Sequence, residues 1–144
     1  MSNTTYSVKK NEIVRKWYII DAEGKPVGRV SAEAAKLLKG KHKPIYSTHL
    51  DTGDHVIIIN ASKAIFTGKK MEQKIYRRHT GYIGNMKEIS AKDYMAKSPE
   101  KVFTLAIKGM LPKNSLGRAM IKKLKVYNDA EHKQQAQAPE IWNF

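Results

Sequence analysis

Cysteine is absent from this sequence of 144 residues. That excludes thiol nucleophiles, disulfides and cysteine-ligated zinc or iron–sulfur centres, and it fits a reducing cytoplasm. No apolar run approaches the roughly 18 residues that a membrane span requires. The longest, Val56-Ile57-Ile58-Ile59, has the length of a strand. Met1 to Lys10 is polar and has no signal-peptide pattern. Acids are scarce as well: 13 Asp and Glu stand against 27 Lys and Arg, a formal net charge of +14. Such an excess repels itself in the compact state unless a polyanion neutralises it. A pI of about 9.9 points to nucleic acid, and no basic amphipathic helix with a bulky aromatic face points to a membrane surface.

Several chemistry-bearing motifs are missing too. There is no Walker phosphate loop, no three-glycine dinucleotide fingerprint and no His-Glu-x-x-His zinc helix. A Gly-x-Ser-x-Gly nucleophile elbow is absent. So are a helix-turn-helix pattern, a zinc finger and the aromatic-rich strands of an RRM. Nothing in these motifs supports a nucleotide-driven or acyl-transfer enzyme, and no cofactor or small-molecule substrate is called for.

What is present fits one domain, large enough to fold without a disulfide or a metal. Trp17-Tyr18-Ile19-Ile20 predicts a first strand, and Asp21-Ala22-Glu23-Gly24 a turn. Pro26 suits the first turn of a helix whose apolar face is Val27, Val30, Ala34, Leu37 and Leu38, with Gly40 ending it. His55 to Asn60 predicts a strand buried on both faces, as in a parallel sheet. Strand, helix, strand is a βαβ unit. Ala61 to Thr80 is ambiguous: Lys63 to Phe66 suits a helical turn, and Lys74 to Arg77 an edge strand. Three shorter helices are expected next. Ser90 caps the first, with Asp93 in a capping box. Ser98 caps the second, with Pro99 in its first position, an apolar stripe ending at Met110, and Pro112 as its stop. Ser115 caps the third, with Leu116, Met120 and Leu124 on one face. Lys125-Val126-Tyr127 suits a closing strand. The polar, Gln-rich tail is either loosely ordered or docked by Trp142 and Phe144.

One stretch is enzyme-like. In "HLDTGDH", His49, Asp51, Asp54 and His55 are donor types for a metal that activates water, with His42 and His79 in reserve. The competing reading is a turn, because Asp51-Thr52-Gly53-Asp54 has turn composition just before a strand. The spacing matches no zinc motif, so the turn is preferred.

The basic clusters are more coherent. Arg15 and Lys16 precede the first strand. Lys39, Lys41, His42 and Lys43 follow the first helix. Lys69, Lys70, Arg77, Arg78 and His79 run into "YRRHTGYIGN", which interleaves aromatic and cationic groups. The last group is Lys108, Lys113, Arg118, Lys122, Lys123 and Lys125. Between Lys101 and Asn128 there are seven Lys or Arg and no acid. A single charge run is usually a solvated face, but several runs with so few acids favour phosphate contact. Arg forks pair with phosphate, and Tyr and His rings stack on unpaired bases, so RNA is preferred to DNA. Lys113 and Arg118 flank a predicted helix start, where backbone N–H groups also favour phosphate.

"KGMLPKNSLGRAMIKKLKVY", "GKHKPIYSTHLDTGDHVIIINA" and "HTGYIGN" together resemble the bacterial large-subunit ribosomal protein L-thirteen family, from about Trp17 to Tyr127. The resemblance implies a single α/β domain, three layers α/β/α around a four-stranded parallel sheet. It implies a protein that is not an enzyme. With the polar ends set apart, residues 1–16 are expected as a basic N-terminal extension, 17–128 as the α/β RNA-binding domain and 129–144 as a C-terminal tail. The resemblance further implies a structural constituent of the large ribosomal subunit, cytoplasmic, that binds the large ribosomal RNA and acts early in subunit assembly. Partners would be that RNA and neighbouring large-subunit proteins, with messenger RNA as a second target.

Overall fold

The computed structural model describes residues 6–144. The first five residues of the expected N-terminal extension lie outside the described residues. Strand β1 (Trp17–Asp21) is followed by helix α1 (Val27–Lys39) and strand β2 (His55–Ile59). Pro26 caps α1 from just outside instead of sitting in its first turn. The predicted apolar face of α1 is buried throughout. Gly40 ends the helix with φ of +82° and donates its N–H to the carbonyls of Lys36 and Leu37. Asn60 ends β2 in a left-handed conformation, and a 3-10 turn at Ala61–Lys63 follows.

A short helix α2 (Lys70–Gln73) leads into β3 (Ile75–His79) and β4 (Met86–Ser90). These two strands form a separate antiparallel sheet. The expected edge strand near Lys74–Arg77 is therefore one arm of a hairpin. Two glycines and Asn85 in Thr80–Asn85 let the chain reverse, and Thr80 N–H closes the loop on the Asn85 carbonyl at 3.2 Å.

Helices α3 (Ala91–Lys97), α4 (Pro99–Met110) and α5 (Ser115–Ile121) precede β5 (Leu124–Val126) and β6 (Glu140–Ile141). Ser90 caps α3: its Oγ accepts from Asp93 N–H at 3.1 Å and donates to the Asp93 carboxylate at 2.7 Å. Ser98 precedes Pro99 without a side-chain cap bond. The cap of α5 is Asn114, not Ser115, because Asn114 Oδ1 reaches Gly117 N–H at 2.9 Å. Leu124, expected on the apolar face of α5, instead begins β5.

The main sheet has the order β5-β2-β1-β6, and every pair in it is parallel. Val56, Ile57 and Ile58 are fully buried, so both faces of β2 are covered. On one face Tyr18, Ile20, Val56 and Ile58 close against Val30 and Leu37 of α1 and Phe103 and Ile107 of α4. Each large side chain buried this way contributes about 1.5–3 kcal/mol. From β5 the chain must return to the far edge of the sheet. The tail thus supplies the fourth strand. Trp142 anchors it, donating its backbone N–H to Ile19 at 2.8 Å and packing edge-on against Tyr18 and His42.

Candidate nucleic-acid interface

The last carbonyls of a helix have no partner within it. At the end of α1 they are met by two distant segments. Asp54 N–H donates to the Leu37 carbonyl at 3.1 Å, and Lys123 Nζ donates to the Leu38 carbonyl at 3.2 Å. The 51–54 turn lies so close that a Cβ on Gly53 would overlap the Leu38 carbonyl. Only glycine fits there.

This packing buries the Asp54 carboxylate and half-buries that of Asp51, and lysines answer both. Asp54, fully buried, accepts from Lys43 Nζ at 2.6 Å and from Lys16 N–H at 2.8 Å. His42 Nε2 sits 2.8 Å from its other oxygen, off the line of a hydrogen bond. Lys43 also donates to the carbonyls of Val14 and Thr52. Asp51 accepts from Lys123 Nζ at 2.6 Å, with the Arg15 guanidinium 3.8 Å away. Burial pushes the Lys123 ammonium below its ordinary pKa, and Asp51 partly offsets this. His55, stacked on Trp17 at 4.2 Å, is pushed down first by burial and then by Lys123 and Arg15. These groups tie the N-terminal arm, the end of α1 and the starts of β2 and β5 into one latch.

The enzyme-like stretch is therefore part of a structural turn. His49, Asp51, Asp54 and His55 do not converge: the two carboxylates hold lysines, His49 pairs with Ser47 at 2.8 Å and His55 lies on Trp17. Among the described residues, no group of three or more metal-ligating side chains gathers anywhere.

The same latch engages three of the expected RNA-facing residues in contacts within the fold. His42, Lys43 and Lys123 are turned inward, with side chains 13%, 15% and 8% exposed. The ammonium groups of Lys43 and Lys123 neutralise Asp54 and Asp51. Arg15 leans on Asp51, and Lys16 pairs with Glu140 of β6 at 3.0 Å, which raises its pKa. Both remain exposed.

The other predicted cations face solvent. Lys39 is half-buried at the end of α1, and Lys41 is exposed beside it. Lys69 and Lys70 are exposed at α2. In the hairpin, Arg77 faces Glu88 and pairs with it at 2.6 Å, but Arg78 faces Lys87, like charge against like. His79 Nδ1 accepts from Gly81 N–H at 3.0 Å, which leaves Nε2 to carry the proton of the neutral ring. Residues 81–88 are exposed throughout, with Tyr82 and Ile83 at the tip. Lys108, Lys113, Arg118, Lys122 and Lys125 lie exposed on α4, α5 and β5 and their connections. Among the described residues none of these five has a carboxylate within ion-pair distance. The start of α5 is occupied by its own Asn114 cap, so its first turn is less open to phosphate than the sequence suggests.

Among the described residues, the five cations on α4, α5 and β5 have no acid partner, the hairpin pairs only Arg77 with an acid, and no metal-ligating groups gather; this suits a protein that holds a polyanion. The family model for ribosomal protein L13 matches residues 15–133. The chain belongs to the ribosomal protein L13 family. It is 58% identical over 137 residues to the large ribosomal subunit protein uL13 of Ruminiclostridium cellulolyticum, covering 95% of each chain. It is 59% identical over 141 residues to that of Carboxydothermus hydrogenoformans, covering 98% of this chain and 99% of the relative. The counterpart from Dictyoglomus thermophilum is 59% identical over 140 residues, with 97% and 99% covered. A member of this family is a structural component of the ribosome, not an enzyme.

The hairpin and the strand in the tail were missed in the sequence. Turn residues between two alternating runs at 75–90 were the available signal for the hairpin. Two residues of tail strand leave no detectable pattern.

Proposed function

We propose that this chain binds the large ribosomal RNA within the large subunit and joins that subunit early in assembly. The observation that carries this is the acid-free stretch from Lys101 to Asn128. Among the described residues, only Lys123 of its seven cations finds a carboxylate, and the other six are exposed. Lys and Arg there would replace counterions on RNA phosphates. The α/β body carries Lys108, Lys113, Arg118, Lys122 and Lys125 on one run of elements, and Arg78, His79, Lys69 and Lys70 around the hairpin. Several fixed cationic elements on one core support holding separate RNA segments in register, which is useful before the subunit has closed. Phosphate contacts would position the protein, and RNA shape would supply discrimination.

Neighbouring large-subunit proteins are the expected further partners, and the cytoplasm is the expected location. A messenger RNA would meet the same cations, and no residue favours it. The test is a salt series with purified protein and full-length large ribosomal RNA. The slope should be about 0.7–0.9 log units of affinity per log unit of salt for each phosphate contact. A flat salt response, or a chain absent from washed large subunits, would remove the proposal.

A further inference from the structure

A groove of about 520 Å³ lies between α4 and α5. Its floor is apolar, from Leu105, Leu111, Pro112 and Ile121, and Lys108, Lys113 and Arg118 surround it. Two glycines line it for different reasons. Gly117 is needed by the fold, because a Cβ there would overlap the Pro112 carbonyl oxygen. Gly109 is not needed by the fold. It lies within α4, its φ is not positive, and a Cβ would meet no atom within 4 Å. Glycine in a helix costs about 0.5–1 kcal/mol relative to alanine. Nothing inside the protein compensates for that cost at Gly109.

The remaining use of a bare backbone is close approach from outside. We infer that the α4–α5 groove seats a ribose–phosphate strand of RNA, passing directly over Gly109 with its phosphates on Lys108, Lys113 and Arg118. Charge selects this occupant. The surrounding cations have no carboxylate partners among the described residues, and the excess continues past the groove to Lys122 and Lys125. An extended polyanion matches that layout better than a short acidic peptide. Packing selects it too. An apolar peptide anchor gains by burying side-chain area, which a glycine withholds. A sugar–phosphate strand gains by lying close to the helix, which a glycine permits, while its riboses cover Leu105 and Pro112.

This inference rests on the proposed RNA-binding function, and two experiments separate them. In the first, Gly109→Ala is made in the full chain. Its unfolding midpoint should stay equal or rise, while affinity for full-length large ribosomal RNA falls by about tenfold, the equivalent of one charged hydrogen bond. Unchanged affinity overturns the inference. In the second, the absence of native cysteine allows a single tether for iron-EDTA. Met110→Cys places it beside the groove, and Tyr82→Cys places it on the hairpin tip. In reconstituted large subunits, RNA cleavage at a discrete site from Met110→Cys supports a strand in the groove. RNA cleavage from the Tyr82 position alone overturns the groove assignment and leaves the wider RNA-binding reading standing. Cleavage of a neighbouring polypeptide from Met110→Cys assigns the groove to a protein and overturns the inference as well. No RNA binding by the wild-type chain removes both.

Discussion

Lys122 and Lys123 are neighbours in the chain and opposites in the structure. Lys122 is exposed and has no acid within ion-pair distance among the described residues, while Lys123 is 8% exposed, bonded to Asp51 and to the end of α1. The contrast extends to two regions. In the latch around Asp51 and Asp54, cations neutralise buried carboxylates and close the fold. On α4, α5 and β5, cations have no internal task. Residue type does not separate the two roles; the presence of a fixed counter-charge does. The chain divides its charge between closing its own fold and a surface open to solvent.

Five variants would break or sharpen this contrast, ordered by their expected effect on the fold except that Lys122→Met stands beside Lys123→Met as its control. Asp54→Ala leaves Lys43 buried without its acid, and breaking such a pair costs about 3–5 kcal/mol. Denaturant unfolding measures it, and a loss under about 1 kcal/mol would show that the latch is dispensable. Next, Lys123→Met strips Asp51 of its close donor and should cost about 1–3 kcal/mol. Lys122→Met, one residue away, should leave the unfolding midpoint where it was. Equal effects from the two would erase the distinction between the regions.

A smaller effect concerns pH. His55 has a lowered pKa in the fold, so below about pH 6.5 the unfolded chain binds more protons than the native protein. Stability is therefore full above that pH and declines as pH falls towards the folded pKa. His55→Phe keeps a ring on Trp17 and should flatten this part of the profile. Wild type and variant with parallel pH curves would count against burial of the imidazole as the cause. The least effect on the fold comes from Lys108, Lys113 and Arg118 changed together to Gln. The unfolding midpoint should hold, while the salt slope for the large ribosomal RNA drops by about 2–3 log units per log unit, three contacts' contribution. An unchanged slope would place the phosphate contacts elsewhere.

Much of the body was legible before any coordinates. The β1-α1-β2 unit follows from β-branched runs and the 3.6-residue spacing of Val27, Val30, Ala34, Leu37 and Leu38, which are periodic because one face must be buried. The Ser90 cap with Asp93 follows from local side-chain geometry. The shift from Ser115 to Asn114 as the cap of α5 did not, since both residues are good caps and one residue decides. The hairpin was half legible, as one strand without its partner. The β6 strand was illegible, because two residues pair with β1 only through the packing of Trp142.

The candidate site divides along the same line. Composition alone determined that this chain carries a large positive excess, lacks thiol chemistry and has acid-free cationic stretches, because those are sums over residue types. Which cations remain available was decided by tertiary structure. His42, Lys43 and Lys123 look no different in sequence from Lys41 and Lys122. They turn inward because Asp54 is buried and Asp51 half-buried against the end of α1, and a carboxylate withdrawn from water needs a counter-charge, supplied by Lys43 and Lys123. That requirement is set by segments as far apart as Lys16, Asp54 and Lys123, which only the folded chain brings together.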